Sequence, residues 1–153
     1  MESLNSRIKK LWIVFGLFVG LFLGVSPAIY TFFYLENIFL SVISMVLPSI
    51  LFIWYAIRRF ANWRFDVREE YIEIKKGVFI RVSMYIPYVR VQHIDTVRNP
   101  VLRVLGLSSL RVYTAGSKGA DITIPGLDKN RAEKIQEQLK QKAIQSEKGF
   151  DAV

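Results

Sequence analysis

The sequence predicts a two-helix transmembrane hairpin followed by a small, mainly β domain that a C-terminal α-helix closes. Three observations carry that expectation. Charge is segregated: residues 11–57 hold one charged side chain, Glu36, whereas residues 58–153 hold 18 of the 21 Lys and Arg and 11 of the 13 Asp and Glu, a net +7. Near Asn62 the pattern changes from continuous apolar sequence to alternation with a period of two. Beyond Asp128 it changes again, to the three-and-four spacing of a helix with one buried edge. A chain of 153 residues leaves room for one small domain beside the membrane segments.

Residues 11–35 form a 25-residue uncharged run and residues 38–57 a second run of 20. About 20 apolar residues suffice to cross a hydrocarbon core of roughly 30 Å. In the first run 15 residues are Leu, Ile, Phe or Val, each worth about −0.3 to −0.6 kcal/mol at a helix centre, so insertion is favoured. Only Glu36-Asn37 separates the runs, which requires a tight turn and antiparallel neighbours. Residues 1–10 then form a cytoplasmic N-terminus. Arg7, Lys9 and Lys10 precede the first helix, no Lys or Arg lies between the two, and Arg58, Arg59 and Arg64 follow the second. The positive-inside rule thus predicts a multi-pass protein of the cell membrane with both termini cytoplasmic. Trp12 and Trp54-Tyr55 suit the inner interface, Tyr30 and Tyr34 the outer one.

A cleaved signal peptide is the rival reading, since Lys9-Lys10, an apolar run and Gly24-Val25-Ser26 resemble its three regions. Pro27 after the candidate cut and the second span argue against it. Gly16, Gly20 and Gly24 recur every fourth residue and let another helix backbone approach one face. That helix is either the second span, through Ser41, Ser44 or Ser49, or a second molecule, giving a homo-oligomer. Pro27 and Pro48 are expected to kink their helices. No ionisable group lies inside either span, so a proton relay or ion path has no candidate residue.

In the remainder, residues 58–145, Trp63, Phe65 and Val67 alternate with polar neighbours on a first strand, and Ile72 and Ile74 are the buried positions of a second. Lys76-Gly77 is expected to turn the chain, with Val78, Ile80, Val82, Met84 and Ile86 alternating on a third strand that Pro87 ends. Residues 88–98 read as a further strand. Asn99-Pro100 follows as an N-cap with proline at the first helical position, and Gly106 stops that short turn. Residues 107–114 and 121–125 give two more strands around the 115–119 loop, about six in all. Asp128 is expected to cap a helix to about Gln145, with Ala132, Ile135, Leu139 and Ala143 on its buried edge. Residues 146–153 are expected to be a flexible tail. Curling the sheet into a barrel or sandwich under that helix is the compact solution.

Four blocks in order resemble a known family: the stretch from Ile86-Pro87-Tyr88 to Gln92-His93-Ile94-Asp95, then Pro100-Val101-Leu102-Arg103-Val104-Leu105-Gly106-Leu107, Leu110-Arg111-Val112-Tyr113-Thr114-Ala115-Gly116 and Ile124-Pro125-Gly126-Leu127. They look like the bacterial pleckstrin-homology-like (PH-like), membrane-flanked domain of the YdbS type. The resemblance covers about residues 60–140 and implies a bent seven-stranded sheet closed by a helix. The seventh strand would then lie within 88–98 or in the loops. It brings no catalytic residues with it, and fold alone assigns no role. Members often occur beside a longer, repeated relative, which implies a paired membrane protein of the same family as a partner.

Chemistry has few candidates. His93 and Asp95 share a strand face, and Ser83, Ser108, Ser109 and Ser117 could complete a triad on paper, but no nucleophile elbow is present. With one His and no Cys, zinc has no ligand set and no cofactor is expected. Gly116 to Gly119 lacks the phosphate-loop pattern and a following helix. Alternation places Lys75, Arg81 and Arg111 on the outer face of the sheet, Lys76 in the adjacent turn, and Arg58, Arg59 and Arg64 against the bilayer. Membrane lipids with anionic headgroups are the partner these residues suit, at about 1 kcal/mol each near the surface. A solvated face is the plain alternative. Nucleic acid is not expected, because no stacking aromatics interleave with the basic residues. The composite expectation is a non-enzymatic scaffold that recruits a protein, with an anionic-lipid sensor second and an unrecognised enzyme third.

Overall fold

A computed structural model of the chain describes residues 2–115 and 122–150. It divides into two compact units: Lys9–Ala61 forms one, and the residues up to Ile8 together with the chain from Asn62 onward form the other.

The first unit is the helical hairpin. Helix α1 spans Ser6–Tyr34 and α2 spans Ile38–Ala61, so both outrun the apolar stretches 11–35 and 38–57 at their basic ends. Asn5 explains the early start, because its Oδ1 accepts from the Arg7 backbone N at 2.9 Å as an N-cap should. Glu36 takes a positive φ of 48° in the connection, and Asn37 Oδ1 accepts from the Leu40 N at 3.1 Å to open α2. Little of the apolar surface is covered by protein: the most apolar windows of the two helices are 17% and 11% buried. That fits helices solvated by lipid rather than core helices of a soluble domain.

The second unit contains seven strands in two antiparallel sheets. Sheet A has the order β1 (Glu2–Ser3), β2 (Arg64–Val67), β3 (Tyr71–Lys76) and β4 (Val82–Pro87). Sheet B has the order β5 (Val91–Val97), β6 (Leu107–Thr114) and β7 (Ile122–Asp128). Helix α3 (Pro100–Val104) joins β5 to β6, and α4 (Lys129–Phe150) follows β7. The core is drawn from Phe65, Ile72 and Ile74 of sheet A, Leu110, Val112 and Ile124 of sheet B, and Ala132, Ile135 and Leu139 of α4, all buried. Gln136 fastens α4 to β5, donating to the Ile94 carbonyl at 2.9 Å while its Oε1 accepts from the Thr96 hydroxyl at 2.9 Å.

Several expectations need correction. The seventh strand is not within 88–98: it is Glu2–Ser3, ahead of the hairpin in sequence and paired with β2. The first residues are therefore a strap on the β unit and not a separate terminus. Leu4 and Ile8 are buried, Asn5 N donates to the Gly126 carbonyl at 3.2 Å, and Arg131 of α4 pairs with Glu2. Residues 88–98 divide into a 3-10 turn, Tyr88–Arg90, and β5. The third strand begins at Val82, so Val78 and Ile80 lie in a loop. β7 runs on to Asp128, expected as the cap of α4, whose carboxylate accepts from Asn5 Nδ2 at 2.8 Å. The region 146–150, read as tail, is the last part of α4. Residues 116–119 of the glycine-rich loop, with Ser117, and Asp121 lie outside the described residues. Asn99 does cap α3, its Oδ1 accepting from Leu102 N at 2.8 Å, and Gly106 follows with a φ of +68°.

Candidate functional site

On the outer face of sheet A, the register sets Asp66 opposite Glu73 and Glu73 opposite Tyr85. Two carboxylates facing each other across strands repel, and two cations resolve the conflict. Arg68 reaches Asp66 at 3.0 Å and Glu73 at 3.5 Å, and Lys75 Nζ lies 2.7 Å from Glu73. The Glu73 side chain is only 6% exposed although alternation points it away from the core. The Lys75 hydrogen bond holds the Glu73 carboxyl below the usual carboxylate range, outweighing desolvation, and Glu73 in turn holds Lys75 above the usual lysine range. Beneath this face, the buried Tyr88 hydroxyl donates to the Arg68 carbonyl at 2.8 Å, with the Tyr71 carbonyl at 3.2 Å, and burial pushes it up to about 12.

The seven basic residues singled out from the sequence do not converge on one pocket. Lys75 is committed to Glu73. Arg64, its neighbour across β2 and β3, is exposed. Lys76 is the last residue of β3, paired with Val82, and not in the turn; Arg81 lies in the loop before β4 and not on the sheet face. Arg111 is on sheet B opposite Asp95. Arg58 and Arg59 end α2, the first 5.7 Å from the Trp54 ring and the second 4.6 Å from the Trp12 ring, and Lys9 lies over Phe60 at 5.9 Å. Cations on amphipathic rings at one end of an apolar hairpin are what an interfacial girdle needs.

Gly16, Gly20 and Gly24 face α2. A Cβ at Gly20 would stand 2.4 Å from the Ser49 Cα, one at Gly24 2.8 Å from the Met45 Cα and one at Gly16 3.0 Å from the Phe52 carbonyl oxygen. The face that could have met another molecule is filled by the hairpin's own second helix. A hydroxyl pair, Thr31 Oγ1 and Ser41 Oγ at 3.0 Å, joins the helices near their turn.

His93 Nε2 lies 2.6 Å from Asp95, but the imidazole is 66% exposed, in a groove shared with Val91, Ile94, Gln136 and Lys140. Its cross-strand partner is Tyr113, four residues from Ser109 along β6, or about 13 Å at 3.3 Å per residue. Ser83 belongs to the other sheet, and Ser108 is fully buried. No serine hydroxyl among the described residues is brought to the imidazole, so the paper triad does not assemble from Ser83, Ser108 or Ser109; Ser117 lies outside the described residues. The Glu73 cluster went unread in the sequence because alternation gives the face of a residue but not its cross-strand neighbour.

Two sheets, a closing helix and a long apolar helical hairpin are the architecture of a membrane-associated domain of pleckstrin-homology type. Residues 12–143 match the family model described as bacterial PH domain, and the chain belongs to that family. It is 32% identical over 77 residues to the UPF0699 transmembrane protein YdbS of Bacillus subtilis (strain 168), an alignment covering 50% of this chain and 46% of that protein. It is 29% identical over 108 residues to the UPF0699 transmembrane protein YdbT of the same strain, covering 67% of this chain and 22% of that protein. The chain thus spans less than half the length of either relative. No solved structure matches. The family is one of PH-like transmembrane proteins and not a known enzyme class.

Proposed function

We propose that the chain is a multi-pass, non-enzymatic scaffold of the cell membrane whose β unit recruits a protein partner at the cytoplasmic face. The observation that carries this reading is the outer edge of β4, which among the described residues pairs with no second strand. Val82–Pro87 is hydrogen-bonded to β3 on one side and borders sheet A on the other, with Val82, Met84 and Ile86 along it. No lysine and no internal proline blunts it, so it can accept an added strand. Orientation is supported by two independent facts. Residues 2–3 and 64–65 are hydrogen-bonded in one sheet, so the two ends of the hairpin emerge on one side. Lys9, Lys10, Arg58 and Arg59 gather at those ends, which the positive-inside rule assigns to the cytoplasm. A partner from the same family, or a second copy, is the first candidate for the edge.

A photo-crosslinker at Tyr85, 57% exposed on β4, tests this in native membranes. A discrete heavier adduct is expected, absent when the crosslinker stands at Gln92. Recovery of monomer alone from both positions would remove the reading.

A further inference from the structure

The three most exposed large apolar side chains described in the β unit are Val104 at 89%, and Phe79 and Ile80 at 80% each. Phe79 and Ile80 lie in the loop between β3 and β4 and Val104 ends α3, and each lies where the chain leaves for the hairpin. In sheet A, only Asn62 and Trp63 separate α2 from Arg64, and Arg64 pairs with Lys75. The loop 77–81 that carries Phe79 and Ile80 therefore lies at the end of sheet A where the chain arrives from α2. Gly77 makes that loop: its φ is +117°, and a Cβ there would fall 1.8 Å from the Ile80 carbonyl oxygen. On the other exit, Arg7 Nη1 donates to the Leu105 carbonyl at 3.3 Å, which ties the start of α1 to the end of α3, where Val104 and the half-exposed Val101 project. Cations flank both groups, with Lys76 and Arg81 at the loop and an exposed Arg103 on α3.

We propose that this end of the β unit rests on the bilayer spanned by its own hairpin. Phe79, Ile80 and Val104 enter the interfacial layer, and Lys76, Arg81 and Arg103 meet anionic headgroups. The exposure of Ile80 and Val104 at the chain exits stands against the near-complete burial of Phe65, Ile72 and Leu110 in the same unit. Charge and apolarity together select the occupant: anionic lipid satisfies the rim, and its glycerol and upper acyl region the tips. This docking is independent of what the β4 edge binds, and it would fix the direction in which that edge points.

The chain has no cysteine, so an introduced thiol is a unique labelling site. The full chain carrying Ile80→Cys, Val104→Cys or, at the opposite end of sheet B, Gln92→Cys is labelled with a polarity-sensitive fluorophore. Each is reconstituted in vesicles of phosphatidylcholine with equal parts phosphatidylglycerol, with and without a lipid bearing a nitroxide quencher. Positions 80 and 104 are expected to show blue-shifted emission that the quencher reduces, while position 92 shows neither. Adding Lys76→Glu, Arg81→Glu and Arg103→Glu should lessen the quenching. Emission at 80 and 104 as water-like as at 92 would overturn the proposal. Blue-shifted emission insensitive to the lipid quencher would overturn it too, by assigning the surface to a second protein molecule.

Discussion

Phenylalanines in the two units have opposite fates. Phe22 of α1 and Phe39 of α2 are each 78% exposed, whereas Phe65 of β2 is 1% exposed. The side chain is the same and the solvent differs. In hydrocarbon, packing an apolar ring against protein gains little over leaving it in lipid, so helices associate through small residues and hydroxyls, as Gly20 and the Thr31–Ser41 pair do here. In water, burial is the main driving force, and the β unit obeys it. Exposure of an apolar group is therefore a record of the medium it faces. Phe79, Ile80 and Val104 are as exposed as the hairpin's side chains while belonging to the β unit.

The sharpest test of this contrast is a pair of identical truncations. Phe65→Ala should destabilise the detergent-solubilised chain by about 3–5 kcal/mol, the cost of a large core cavity, whereas Phe22→Ala should change stability by no more than about 0.5 kcal/mol. Urea unfolding followed by intrinsic fluorescence reads both, and equal losses would break the comparison. Gly20→Val probes the hairpin's own packing. Its side chain meets the α2 backbone, which cannot yield as a flexible side chain would, and a loss of about 1–3 kcal/mol is expected. Unchanged resistance to dodecyl sulfate unfolding would mean that the close approach carries no weight.

A smaller effect separates the charged outer face from both apolar regimes. The Glu73 carboxyl in the folded protein lies below the ordinary glutamate value of 4.5. Its contribution is thus present above that value and is lost as pH falls through the lower folded one. Stability of the native chain should decline on acidification below about pH 4.5, and Glu73→Gln should flatten that decline. A parallel pH profile in the variant would show that the ion-pair cluster is uncoupled from folding. The smallest effect has the opposite sign. Ser108 Oγ is buried without a hydrogen-bond partner among the described residues. Ser108→Ala should raise stability by about 1 kcal/mol or less, because an unsatisfied buried hydroxyl is removed. A loss in its place would reveal a partner for that hydroxyl.

The limits of the sequence are clearest at three places. Lys76-Gly77 announces a turn, but the alternation from Val78 onward continues through a loop whose tip is exposed, because a period of two in apolar residues cannot tell a strand from an extended loop segment. Nothing in the sequence marks Glu73, around which strand register brings Arg68, Lys75 and Tyr85. The basic residues read as one group by sign, yet Lys75 is neutralised within the sheet and Arg111 lies on the other sheet, because charge along the chain carries no information about convergence.

What the sequence determined by itself is whatever depends on near neighbours. The two spans, the Asn99-Pro100 helix start, the strands around Ile72–Ile74 and 107–114, and the buried edge of α4 are all set by hydropathy and turn chemistry within a few residues. Only the tertiary structure decided that Glu2–Ser3 crosses back to β2 past an intervening hairpin, that the glycine face of α1 closes on α2, and that Phe79 and Val104 are left exposed on the β unit. Those pairings join residues up to a hundred positions apart, and their specificity lies in hydrogen-bond register and close backbone approach, which no local pattern encodes.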